Sequence, residues 1–108
     1  MITIWGITDY QKKLADGVYE VGTPRHGGIV VEERVADKYL SKSAQEESTF
    51  DFGLFHFEED AEWAIFAKEN PTLFSEKELH YVDYYINTYF SHYLENYEQE
   101  QNEKLCQK

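Results

Sequence analysis

Between Ser75 and Tyr97 the apolar side chains recur at steps of three and four. Leu79, Val82, Ile86, Tyr89, Phe90, Tyr93 and Tyr97 form the stripe, a spacing that lines up one face of an α-helix. Ser75 with Glu78 three residues on is a capping box, in which each side chain satisfies a backbone N–H of the first turn. The spacing predicts a helix over 76–97 with Leu79, Val82, Ile86 and Phe90 buried. A striped helix needs a layer to pack on, and the rest of the chain has to supply it.

The first third has the signals of strands. Residues 2–5 alternate β-branched and aromatic types. Val18–Val21 and Ile29–Val31 are short apolar runs around the breaker-rich segment Gly22-Thr23-Pro24-Arg25-His26-Gly27-Gly28, which suggests a hairpin. Residues 8–16 are polar and end at the Asp16-Gly17 turn. Arg34 to Leu40 carries Val35, Tyr39 and Leu40 at the spacing of a short helix. Residues 41–49 are polar and read as the least ordered internal loop. Phe50, Phe52, Leu54, Phe55 and Phe57 read as extended chain with aromatic anchors. A helix is expected to start at Glu58, with Glu58, Glu59, Asp60 and Glu62 in its first turn, where the helix dipole favours carboxylates. Asn70-Pro71 ends it. The expectation is an α+β fold, a small antiparallel sheet packed against two or three helices with a long C-terminal helix. Residues 1–98 form one domain, and 99–108 a frayed tail.

Composition narrows the functional classes. Of 108 residues, 17% are aromatic, which is ample for a core. One cysteine, Cys106, excludes a disulfide or cysteine-based zinc site within one chain. No basic segment precedes an apolar run, and no stretch has the length of a membrane span, so a cytoplasmic location without membrane contact is expected. The net charge is −11. Residues 1–42 hold six acids and six bases. Residues 43–108 hold fifteen acids and four bases, the whole of the excess, and no base stands between Lys42 and Lys68. Direct binding to nucleic-acid phosphates is unfavourable on such a surface, whereas a basic partner is attracted. The same acidity also serves simple solubility.

Two motifs could carry chemistry. In the first, Thr23-Pro24-Arg25-His26-Gly27-Gly28-Ile29, the glycines permit close backbone approach and His26 is either a ligand or base, or an ordinary turn residue. The second runs His56-Phe57-Glu58-Glu59-Asp60-Ala61-Glu62-Trp63-Ala64. On a helix, His56 and Asp60 would share a face. His26, His56, Glu59 and Asp60 are thus the candidate metal ligands, with zinc the first choice for imidazole plus carboxylate. No cofactor is otherwise indicated. His26 is expected within reach of Glu58, Glu59 or Asp60.

Together the motifs resemble an uncharacterised family of small proteins from phages, prophages and plasmids, over roughly residues 17–71. Arg25 stands where that family often has Ser, so a hydroxyl role does not carry over to this position. The resemblance implies a mobile-element origin and no particular activity. Small acidic phage proteins often inhibit host defence, anti-CRISPR and anti-restriction proteins among them, with acidic faces that occupy basic channels. By that analogy the chain is expected to inhibit a host nucleic-acid enzyme, a type II CRISPR effector nuclease, in the bacterial cytoplasm. The candidate contacts are Glu46, Glu47, Asp51, Glu95, Glu98 and Glu100, with Tyr81 and Tyr84 as anchors from a tyrosine-rich helix that otherwise forms an aromatic second layer. The alternative is a small metal-dependent hydrolase using His26 and the Glu58–Asp60 cluster. No phosphate loop, nucleophile elbow or His-Glu-x-x-His is present, so a binding role is expected in preference to an enzyme.

Overall fold

The turn at Asp16-Gly17 and the Gly27-Gly28 pair shape the sheet. A computed structural model describes residues 1–106. The strands are β1 (Ile2–Thr3), β2 (Gly6–Ile7), β3 (Tyr10–Ala15), β4 (Val18–Gly22), β5 (Gly27–Glu32), β6 (Thr49–Asp51) and β7 (Leu54–Glu58). The helices are α1 (Ala36–Tyr39), α2 (Lys42–Glu47), α3 (Trp63–Glu69), α4 (Glu76–Leu79), α5 (Val82–Tyr89) and α6 (Ser91–Cys106). β3 to β7 form one antiparallel sheet in the order β3-β4-β5-β7-β6, and β1 pairs with β2 separately. The α+β expectation holds.

Alternation along the central strands gives the sheet two covered faces. Val18, Ile29, Val31 and Phe57 point to the helices and meet Ala64, Ile65, Phe66, Val82 and Ile86 in the main core. Val21, Val30 and Leu54 point the other way, beneath Met1, Trp5 and Tyr19. β5 is therefore buried on both faces, which its run Ile29-Val30-Val31 reflects. α3 lies between the sheet and α5, and Ala64, Ile65, Phe66 and Ala67 are all buried.

The motif glycines have a steric role. A Cβ on Gly27 would strike the Val21 carbonyl, and one on Gly28 the Phe57 carbonyl. Backbone on either side of β5 comes too close for any side chain. Thr23 organises the loop between them: its hydroxyl oxygen accepts from the backbone N–H groups of Arg25 and His26 at 3.3 and 3.2 Å.

Three expectations are corrected. First, the helix over 76–97 is three helices, with breaks at His80-Tyr81 and at Phe90. The capping box of Ser75 and Glu78 is present, and Val82 and Ile86 are buried while Leu79 and Phe90 are half-buried. Packing explains the bends. α5 packs on α3 and α6 on α2, and one straight helix could not serve both. Tyr89 is consequently turned to solvent. Second, residues 42–47 are a capped helix, not a loop. Ser41 caps it by accepting from Ala44 N at 3.0 Å. Third, α6 continues through the expected tail to Cys106. It is anchored by Glu100, whose carboxylate accepts from Lys42 N (3.1 Å), Ser43 N (3.0 Å) and Ser43 Oγ (2.8 Å). Residues 107–108 of that expected tail lie outside the described residues.

Replacement of Val82 by Asp is expected to destabilise the fold by about 3–5 kcal/mol, because it leaves an unpaired charge between α3 and α5. Glu100→Ala strips three donors of their acceptor and is expected to cost about 1–3 kcal/mol. Urea unfolding of each variant measures both.

Candidate functional site

Antiparallel pairing of β5 with β7 brings the two motifs together. Gly28 stands opposite Glu58, and Glu59 N–H donates to Gly27 O at 2.9 Å. That extended pairing is why the helix does not start at Glu58. Glu58 closes a strand, residues 59–62 turn, and α3 begins at Trp63. Glu62 holds the turn by accepting from Glu58 N at 3.1 Å. Burial, followed by the nearby Glu58 charge, pushes the Glu62 carboxyl above its usual range against that hydrogen bond.

His26 lies at this corner. Its Nδ1 is 3.6 Å from Glu58 Oε1, and both side chains are substantially exposed. The separation allows attraction when the imidazole is protonated and is longer than a hydrogen bond. Glu59 and Asp60 are exposed on the adjoining turn.

His56 belongs to a different part of the structure. It lies on a strand rather than on a helix with Asp60, and its ring points to the face covered by the N-terminal hairpin. Nδ1 donates to Thr49 O at 3.0 Å, and Nε2 accepts from Ile4 N at 3.2 Å. These two bonds define the neutral tautomer protonated at Nδ1. Trp5 packs edge-on against the ring at 5.1 Å. With both nitrogens bonded, His56 cannot ligate a metal without breaking the hairpin contact. His26, His56, Glu59 and Asp60 therefore do not converge, and no cluster of three or more ligating side chains exists among the described residues.

The expected partner contacts also divide. Glu46, Glu95 and Glu98 are exposed, Glu47 half-buried. Tyr81 and Tyr84 are exposed at 56% and 60%, so these two are not a covered second layer. Glu100 is engaged as the anchor of α2. Asp51 accepts from Phe52 N at 2.8 Å, at the tip of a two-residue hairpin where Phe52 and Gly53 both have positive φ (54° and 73°). Phe52, expected in extended chain as an aromatic anchor, is instead an exposed aromatic held in left-handed backbone at this tip. The spacing of Asp51-Phe52-Gly53-Leu54 resembles a hairpin signal only if Phe is admitted where Asn is usual.

The chain belongs to a family described as a domain of unknown function, DUF7007, which matches residues 1–107. Neither the curated proteins nor the solved structures contain a match to it. Among the described residues no helix is long and apolar enough to cross a membrane.

Burial holds the His56 pKa below its ordinary value of 6.5, and the hydrogen bond to Thr49 and the charge of Asp51 do not reverse this. The unfolded chain therefore takes up a proton that the native state refuses. Stability from this group is complete above about pH 6.5 and falls as the pH drops toward the lower native value. Urea midpoints measured between pH 7 and 5.5 are expected to decline, and His56→Gln is expected to flatten that slope whatever its effect at pH 7.

Proposed function

We propose that this protein is a mobile-element-encoded inhibitor that docks its acidic helical surface on a basic, nucleic-acid-binding surface of a host enzyme and blocks loading of nucleic acid. The target on which the proposal is built is a type II CRISPR effector nuclease in the bacterial cytoplasm. The observation that carries it is the state of the acids after residue 42. Among the described residues, their ion pairs within 4.0 Å are Glu58 with His26 and Glu100 with Lys104. Among the described residues, Glu46, Glu95 and Glu98 are exposed and make no ion pair within 4.0 Å.

These acids belong to neighbouring elements. α6 packs on α2, and α2 leads into β6. Along α6, Glu95, Glu98, Asn102 and Glu103 recur at helical spacing on the exposed side. Tyr84 on α5 adds an exposed aromatic of the type that anchors interfaces. A negative field of this kind speeds encounter with a basic partner more than it tightens the final complex. Origin in a mobile element is supported by the motif resemblance. The hydrolase alternative lacks comparable support, because His26 approaches Glu58 at 3.6 Å without a hydrogen bond and no cluster of three or more ligating side chains exists among the described residues.

Charge reversal, Glu95→Lys with Glu98→Lys, is expected to slow association with the nuclease by roughly tenfold at low salt while leaving the thermal midpoint unchanged. Wild-type association should weaken with added salt, since exposed charges are screened beyond about 8–10 Å at physiological ionic strength. Inhibition of target-DNA binding, measured across a salt series, checks both. Undiminished inhibition by the double variant would exclude this surface.

A further inference from the structure

The helical layer does not reach across the whole sheet. α3 covers β5 and β7, and beyond it a groove of about 520 Å³ opens over β4 and the edge of β3. Its walls are aromatic: Tyr10 from β3, Trp63 from α3, Phe74, and Tyr81 and Tyr85 from the α4–α5 segment. Trp63 is braced by Phe74 and Tyr85, with ring centroids 6.2 and 6.0 Å away. The floor is backbone at Gly22 and Gly28, where no side chain fills the space. Three carboxylates line it, Glu20, Glu59 and Glu78, against one ammonium, Lys77. Glu20 is oriented by the Tyr10 hydroxyl, which donates to Oε1 at 3.1 Å. Glu78 is fixed by the capping box with Ser75.

We infer that this groove binds the guanidinium of an arginine presented by a basic partner protein. The groove combines π-faces with carboxylates. A flat, weakly hydrated cation can stack on the rings while its N–H groups fork to an acid. Phosphate and nucleic acid meet the wrong charge here. An apolar ligand would cover carboxylates without supplying donors. Lysine is a weaker fit, as a compact, strongly hydrated point charge. Two lysines of this chain lie near the acids: Lys77 lines the groove, and Lys12 stands opposite Glu20 in register. The Glu78 carboxyl is held below its usual range chiefly by the Ser75 backbone N–H, with the Lys12 charge a lesser cause. Both are exposed lysines that an incoming guanidinium can displace. The source of the arginine rests on the proposed function. The site itself rests on the groove.

The test uses the full chain and two small probes, N-acetyl-arginine amide and its neutral isostere N-acetyl-citrulline amide. Binding is followed by NMR at the indole of Trp63, with Trp5 on the opposite side of the sheet as an internal control. Arginine is expected to shift Trp63 and the Tyr81 and Tyr85 rings, and citrulline to bind at least about tenfold more weakly, a difference of about 1.4 kcal/mol. Glu20→Gln and, separately, the exposed Glu59→Gln should each weaken arginine binding several-fold, and Lys77→Ala should strengthen it. Equal binding of the two probes, or arginine shifts confined to α6 with Trp63 unmoved, would overturn the inference. Arginine binding by a chain that does not inhibit the nuclease would remove the proposed function and keep the site. An inhibitor whose groove ignores arginine would do the reverse.

Discussion

Two carboxylates converge on the start of one short helix, and much of the helical layer is positioned by that contact. Glu69, at the end of α3, accepts from Ser41 N and Ser41 Oγ, each at 2.7 Å. Glu100, on α6, accepts from the next two backbone N–H groups. The first turn of a helix leaves its N–H groups unpaired and carries partial positive charge, so anionic oxygens are well placed there. A six-residue helix has little stability of its own. Here it is fixed between an element from the core and one from the C-terminus. Buried Tyr93 completes the junction by donating to Glu69 at 2.5 Å. Burial, reinforced by the Glu69 charge, pushes that phenol well above its usual range and keeps it a donor at any physiological pH.

The same device recurs at three other places in the acidic part of the chain. Glu62 accepts from Glu58 N, Glu78 from Ser75 N, and Asp51 from Phe52 N. In a region with fifteen acids and four bases, cations are too few to pair the carboxylates, and backbone N–H groups take their place. Such bonds lower the carboxyl pKa when they outweigh burial, as at Glu100, where burial acts upward and the bonds from Ser43 and Lys42 prevail. The acids therefore fall into two groups. Those bonded to backbone hold turns and helix starts. Those left in solvent, Glu46, Glu95 and Glu98 among them, hold nothing in the fold and set the field around it.

This division explains what could be seen in the sequence. Features decided by residues a few positions apart were legible: the Ser75–Glu78 capping box, the β4–β5 hairpin, the stop at Asn70-Pro71, and burial of Val82 and Ile86. Features decided at long range were not. In residues 41–49 the one local mark of a helix is the Ser41 cap, and the rest of its support comes from Glu69 and Glu100, 28 and 57 residues away. The bends at Tyr81 and Phe90 keep the three-and-four spacing nearly in phase, so the stripe reads as one helix through both. His56 shows the opposite error. Acids downstream suggested a helical face, whereas strict alternation of Phe55, His56 and Phe57 placed it on a strand, facing away from Phe57. Glu100 looked like a free surface acid because its partners lie on another helix.

The motifs can be divided in the same way, into side chains the fold uses and side chains it leaves over. Gly27 and Gly28 are required by backbone contact, Thr23 closes its own loop, and Glu62 holds the turn before α3. His26, Glu59 and Asp60 have no comparable task, and Trp63 gives only part of its ring to the core. Glu59 and Trp63 line the groove, and His26 stands at the corner where Gly28 pairs with Glu58. The residues that carry the family resemblance thus lead to the groove, while the acids that carry the charge argument lie mainly on α2 and α6. In the proposed docking on a basic partner, the two surfaces suit different stages of one encounter. A diffuse field orients a basic partner from a distance but discriminates little between one basic surface and another. A confined site with aromatic walls acts only at contact, where shape and hydrogen-bond geometry decide which cation stays. A chain that had only the field would be held weakly by many partners. In the encounter proposed above, the groove is the part of this molecule that would choose among them.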